Sequence, residues 1–130
     1  MTESPLGGLA VDPAFDSQLG TSMEDVERHL RSTVVSDYPF VTETSRHLVD
    51  AGGKRFRPLL TLLASHFGPR PANDDVIKAA VVVELTHLAT LYHDDVMDEA
   101  QLRRGAPSAN ARWDNSVAIL TGDFLFARAS

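Results

Sequence analysis

The residues best suited to chemistry lie between Glu84 and Gly105, in the run ELTHLATLYHDDVMDEAQLRRG. At about 100° per residue, His87, Asp94 and Asp98 fall on one helical stripe, because i+7 and i+11 return close to the starting angle. Asp94 and Asp98 stand one turn apart, about 6 Å along the axis. Two carboxylates so spaced suit a hard cation that takes oxygen ligands and keeps several waters, which points to Mg²⁺ rather than Zn²⁺. Asp95 stands to one side, as a supporting or alternate ligand. Four acids (Asp94, Asp95, Asp98 and Glu99) crowd a helix C-terminus where the macrodipole is already negative, so a cation is needed to offset them. Arg103 and Arg104 follow, in a turn closed by Gly105. Carboxylates that hold Mg²⁺ beside arginine forks match a phosphate-bearing ligand. The competing interpretation is a solvated acidic helix end with surface ion pairs. His87 in register and the arginine pair weigh against it.

A second cationic cluster lies in GGKRFRP, residues 52–58. Two glycines let the backbone approach a ligand, and Pro58 belongs in the first turn of the next helix. The free N–H groups of that turn, with Lys54 and Arg57 alongside, form an anion site. Lys54 and Arg57 are three apart and can share a face, whereas Arg55 points elsewhere. A glycine cap followed by a solvated basic turn is the plainer alternative.

The elements that must position these groups read as helices. Residues 1–22 form a mobile tail, with a short turn of helix near Phe15–Leu19, and residues 23–130 form the helical domain. Ser22 caps a helix over 23–36 with Met23, Val26, Leu30 and Val34 on one stripe. A second helix covers about 40–51 and stops at Gly52 and Gly53. A third carries Leu59, Leu60, Leu62, Leu63 and Phe67 and ends at Gly68-Pro69. Asn73 caps the long helix, with Asp74 and Asp75 on its positive end. Between Lys78 and Asp94 only Glu84 is charged, so this helix is apolar nearly all round and lies in the core. On it His87 is assigned a functional role and His93 a supporting one, while His66 is a core histidine. A short helix through about Arg112 follows, then a last one capped by Asn115 or Ser116, with Val117, Leu120, Phe124 and Ala127 at helical spacing. No segment alternates like a strand, so the fold class is all-α, an antiparallel helix bundle with short loops.

Composition narrows the functions. Twelve Lys and Arg against eighteen Asp and Glu give a net charge of −6, which argues against nucleic-acid binding driven by bulk charge. There is no cysteine, so no thiolate metal site, which fits a cytoplasmic protein. No basic residue precedes Arg28, so the N-terminus lacks the flank of a signal peptide, and the longest apolar runs fall short of a membrane span.

GGKRFRP, HLATLYHDDVMD and RRGAPSANARW, in that order, resemble the trans-type isoprenyl diphosphate synthases, the polyprenyl synthetase family, and most of all its long-chain bacterial members. The likeness covers about residues 48–128. It implies an isoprenoid-synthase helix bundle and a head-to-tail prenyl transfer between an allylic diphosphate and isopentenyl diphosphate. By resemblance, Asp94 and Asp98, with Asp95 in the same motif, bind the Mg²⁺ that chelates the allylic diphosphate, and Arg103 contacts that diphosphate. Lys54, Arg57, His87 and Arg104 hold isopentenyl diphosphate. Ala89 and Thr90, one turn before the acids, are small where bulky aromatics stop growth in this family, which implies products beyond twenty carbons. The family also implies a homodimer or a two-subunit enzyme, with peripheral membrane contact through its product.

A second aspartate-rich motif of the family has no counterpart up to Ser130. The expectation is therefore the N-terminal portion of a synthase, incomplete and inactive by itself. Two other classes compete. One is a non-catalytic subunit that docks with a full synthase, against which the intact Asp94 and Asp98 speak. The other is an all-α metal phosphohydrolase built on His93 and Asp94 with His47 and His66, which leaves the double arginine and GGKRFRP without a task.

Overall fold

The computed structural model describes residues 4–9 and 11–130. Its architecture is all-α and built around one helix. In chain order the helices are α1 (Pro13–Thr33), α2 (Pro39–Asp50), α3 (Phe56–Ser65), α4 (Asp74–Met97), α5 (Ala109–Arg112) and α6 (Asn115–Ala129). A two-stranded antiparallel ladder, β1 (Leu102–Arg103) with β2 (Ala106–Pro107), sits between α4 and α5. It pairs Leu102 with Pro107 and Arg103 with Ala106. The sequence gives no sign of this ladder, because two residues per strand are too few to alternate.

α4 begins where expected. The Asn73 side chain accepts the Val76 N–H at 3.0 Å, and Asp74 and Asp75 occupy the first turn. It runs 24 residues to Met97, and Asp98 caps it, its N–H donating to the Asp94 carbonyl at 2.8 Å. Leu85, Leu88, Ala89 and Tyr92 are buried where α6, α3 and α1 pack on it. The expectation of an all-round buried helix needs correcting, because Val82 and Val83 face outward. So does the statement about membrane spans: by length and composition α4 could cross a bilayer, with mean hydropathy 1.2 over 18 residues. Buried Glu84 and three packed neighbours make it a core helix here.

α1 starts earlier than the Ser22 cap predicts. The Asp12 side chain accepts the Ala14 N–H at 3.0 Å and Pro13 holds the first helical position, a stronger start signal than Ser22. Residues 13–22, assigned to the tail, are therefore helical, and Leu19 is fully buried. The Ser22 hydroxyl donates back to the Gln18 carbonyl at 3.1 Å instead of capping. The helix also stops at Thr33, short of residue 36. At the other end Asp114, rather than Asn115 or Ser116, caps α6 by accepting the Val117 N–H at 2.7 Å.

α2 is tied to α4 by the Tyr92 hydroxyl. It donates to the Thr44 carbonyl at 2.5 Å and accepts the Leu48 N–H at 3.2 Å. Burial pushes its phenol pKa well up, so Tyr92 stays neutral. The tie fixes the C-terminal half of α2, from which the glycine turn departs, against the C-terminal part of the long helix.

Candidate active site

Three segments meet beside the C-terminal half of α4: the turn at 52–57, the outward face of α4, and the β1–β2 hairpin. Asp94 is half-buried and Asp98 exposed. Among the described residues no cationic side chain pairs with either. Asp95 is different. It is 1% exposed, and Arg103 Nε donates to both its oxygens, at 3.0 and 3.2 Å, with Nη2 on Oδ1 as well. Of the three acids, two therefore project unpaired and the third is taken up by an arginine. Among the described residues no cluster of three or more His, Cys, Asp or Glu is arranged to hold a metal; two free carboxylates could serve only a hard cation that takes its other ligands from water and a second molecule.

Arg103 is thereby aimed. Its guanidinium pKa rises, chiefly through the Asp95 hydrogen bond and further through Asp94 and Asp98, which puts all three acids in its field. Its Nη1 makes no hydrogen bond to the described residues and stays available beside the acids. The hairpin that carries it is folded back by Ser108 and Asn110, which both donate to the Ala100 carbonyl, at 2.6 and 2.9 Å. His47 Nε2–H donates to the Pro107 carbonyl at 2.6 Å, a tautomer set by Arg112 donating to Nδ1 at 3.0 Å.

Arg104 turns the other way. Its backbone is left-handed (φ 55°), and Nη1 donates to the Gly52 carbonyl and, at 3.3 Å, to that of Leu48. Gly53 makes this possible: a Cβ there would lie 2.8 Å from Arg104 Cζ and Nη1. Gly53 therefore seats an arginine, a use that its place in GGKRFRP does not reveal.

An open cleft of about 460 Å³ runs along α4, lined by Arg57, Val82, Val83, Thr86, His87 and Thr90. It brings together Arg57, His87 and Thr90. The His87 pKa is lowered, first by burial and then by Arg57, against Glu84 and with Arg104 and Arg103 adding, so three arginines act on one neighbourhood. Lys54 does not share this cleft. It lines a separate hollow against α1 with Gly20, Met23, Glu24 and Glu27, because Arg55 between it and α3 is left-handed (φ 50°) and breaks the helical spacing assumed for Lys54 and Arg57. Ala89 is also apart, fully buried on the face toward α6, where a Cβ at Gly122 would come within 3.2 Å of its carbonyl.

Two residues went unassigned in the sequence. Arg55, 7% exposed, ion-pairs with Glu27 of α1 and, at 3.3 Å, with Glu84 of α4, itself 2% exposed. It also donates to the carbonyls of Val49 (3.1 Å) and Gly52 (3.3 Å). Glu84 as the lone charge inside an apolar helix was the available signal. The histidines of the phosphohydrolase alternative disperse: His47 sits on the hairpin, His66 stacks edge-on with Phe15 at 4.9 Å, and His93 Nε2 meets the Ile119 carbonyl at 3.0 Å and Asp123 at 3.3 Å.

Comparison with known proteins adds the following. The family described as polyprenyl synthetase matches residues 38–130. A nonaprenyl diphosphate synthase of Mycobacterium tuberculosis is 50% identical over 119 residues, 92% of this chain and 36% of that protein. Component 2 of a heptaprenyl diphosphate synthase of Bacillus subtilis is 47% identical over 111 residues, 85% of this chain and 32% of that protein. A crystal structure of a geranylgeranyl pyrophosphate synthase from Corynebacterium glutamicum, complexed with calcium and isoprenyl diphosphate, superposes with a TM-score of 0.78 at 57% identity, covering 91% of this chain and 35% of the other. The chain thus spans about a third of the length of the curated relatives it matches.

Proposed function

The chain belongs to the polyprenyl synthetase family, and from that premise we propose that the protein carrying it condenses an allylic diphosphate with isopentenyl diphosphate in a Mg²⁺-dependent prenyl transfer. The observation that carries the proposal is the division of labour at the end of α4. Asp94 and Asp98 project without partners, Asp95 fixes Arg103 beside them, and a cationic cleft opens one turn away.

Asp94 and Asp98 would hold the metal, which supplies positive charge to a departing diphosphate. Arg103, fixed by Asp95, offers its remaining N–H groups where negative charge builds as the allylic C–O bond breaks. Arg57 and His87, which line the cleft, hold the second diphosphate, with Arg104, whose charge reaches His87, as the third group of the set. Val82, Val83 and Thr90 give the cleft an apolar wall along which a hydrocarbon tail lies away from water. The relatives' names cover several product lengths, so the proposed length beyond twenty carbons rests on the absence of a bulky side chain at Thr90.

The test is incorporation of radiolabelled isopentenyl diphosphate by the complete protein, with an allylic diphosphate and Mg²⁺. Extractable polyprenyl product is expected, with loss on Asp94→Ala; no incorporation at any Mg²⁺ concentration, with or without a partner chain, refutes it. A two-subunit form is the second reading, favoured by the relative named as component 2. Activity that appears only when a second polypeptide is added back supports that reading.

A further inference from the structure

The buried ion pair between Arg55 and Glu84 has no part in the chemistry just described, yet Glu84 stands one turn before His87 of the cleft and acts on it. Arg55 holds a left-handed backbone that a side-chain-bearing residue adopts at a cost. Its guanidinium is out of water, and its hydrogen bonds go to Glu27 of α1, Glu84 of α4, the Val49 carbonyl at the end of α2 and the Gly52 carbonyl of its own turn. The Gly52 carbonyl also receives Arg104. Two arginines from distant parts of the chain are therefore pinned on one oxygen, at the negative end of the α2 dipole. Glu84 is the buried counter-charge nearby, and it acts on His87 and on Arg104 as well.

We infer that Glu84, Arg55 and Glu27 form a strut that positions the turn at 52–57, and with it Arg57 and Arg104, to hold a diphosphate group in the cleft. Arg55 and Glu84 are positioning residues and do not touch the ligand. The inference rests on the proposed prenyl transfer for the identity of that diphosphate, but not for the geometry. Removing the Glu84 charge leaves Arg55 buried against a neutral amide, and the turn then has less to hold its left-handed residue in place.

The experiment uses the complete protein with Glu84→Gln and Arg55→Lys. For Glu84→Gln the KM for isopentenyl diphosphate should rise about tenfold, the size of one weakened charge-assisted hydrogen bond. The allylic KM and kcat should stay within about twofold, the scatter left by neighbouring effects. Arg55→Lys, which keeps the charge but loses the fork, should show a smaller rise of the same kind. Glu27→Gln, the more exposed partner of the same guanidinium, serves if Glu84→Gln does not fold, and should raise the same KM alone. Binding of inorganic pyrophosphate without Mg²⁺, by titration calorimetry, gives a readout independent of turnover and should weaken in parallel. Should the wild type make no product while pyrophosphate binding still weakens in Glu84→Gln, the strut stands and the prenyl-transfer proposal fails. Unchanged KM values and pyrophosphate binding with only a lower melting temperature, or equal rises for both substrates, overturn the strut.

Discussion

Gly53→Ala is a sharp probe of how the cationic side of the site is assembled. At φ 137° an alanine is strained, by roughly 1–3 kcal/mol. Its methyl would also sit 2.8 Å from Arg104 Cζ and Nη1, so the guanidinium must leave the carbonyls of Leu48 and Gly52. If Arg104 holds one diphosphate, its displacement removes a charge-assisted hydrogen bond of roughly 1.5–3 kcal/mol, or about ten- to hundredfold in affinity. Gly52→Ala is the matched control. Its φ of 85° carries comparable strain, but no atom lies within 4 Å of the added methyl. The assay is the steady-state KM for isopentenyl diphosphate in the complete protein, with thermal melts of both variants. Both should melt lower and only Gly53→Ala should lose affinity; equal KM values in the two variants would refute the seating of Arg104.

Other outcomes follow from the same geometry. Asp95→Asn strips a buried carboxylate from Arg103 and should lower stability by about 1–3 kcal/mol, read as a denaturant midpoint, with kcat falling more than either KM; an unchanged midpoint counts against the pairing. Thr90→Phe should shorten the product on reverse-phase chromatography, because Thr90 lines the cleft, and an unaltered product profile speaks against that wall guiding the tail. Ala89→Phe, placed against α6, should instead destabilise by about 1–3 kcal/mol through overpacking, and a wild-type melting temperature would contradict its burial. His87 has a folded pKa below the ordinary 6.5, so its contribution to stability is present above that value and is lost as pH falls toward the folded pKa. An anion in the cleft favours the protonated ring, so pyrophosphate binding to the wild type should tighten relative to His87→Gln as pH falls from about 8 to 6; parallel pH profiles would place His87 outside the anion site.

What could be read from the sequence is what depends on neighbours along one chain. Asn73 with two aspartates behind it fixes the start of α4, and i+7 and i+11 spacing places Asp94 and Asp98 on its outward end without reference to any other helix. The start of α1 is equally local, since Asp12-Pro13 is a cap followed by its preferred first residue, but Gly20 interrupts the stripe that Leu19 and Val26 make and hides the helix from its periodicity. Tertiary pairings were beyond reach. Arg55 meets Glu84 and Glu27 across loops whose path the sequence does not encode locally, and its left-handed backbone separates Lys54 from Arg57 despite their spacing. Asp95 and Arg103 lie only eight residues apart, but their pairing needs the hairpin that Ser108 and Asn110 fold back. The site's acids and cations were thus legible as an inventory, and the structure supplied which of them are spent on one another.

The most direct measurement is Mg²⁺ binding by the complete protein, by titration calorimetry, with and without an unreactive allylic diphosphate analogue. Two unpaired carboxylates are too few to enclose the ion, so the expected result is strong binding only when the diphosphate is present, abolished by Asp94→Asn with Asp98→Asn. Mg²⁺ uptake that ignores the diphosphate, or that survives the double substitution, would contradict the account.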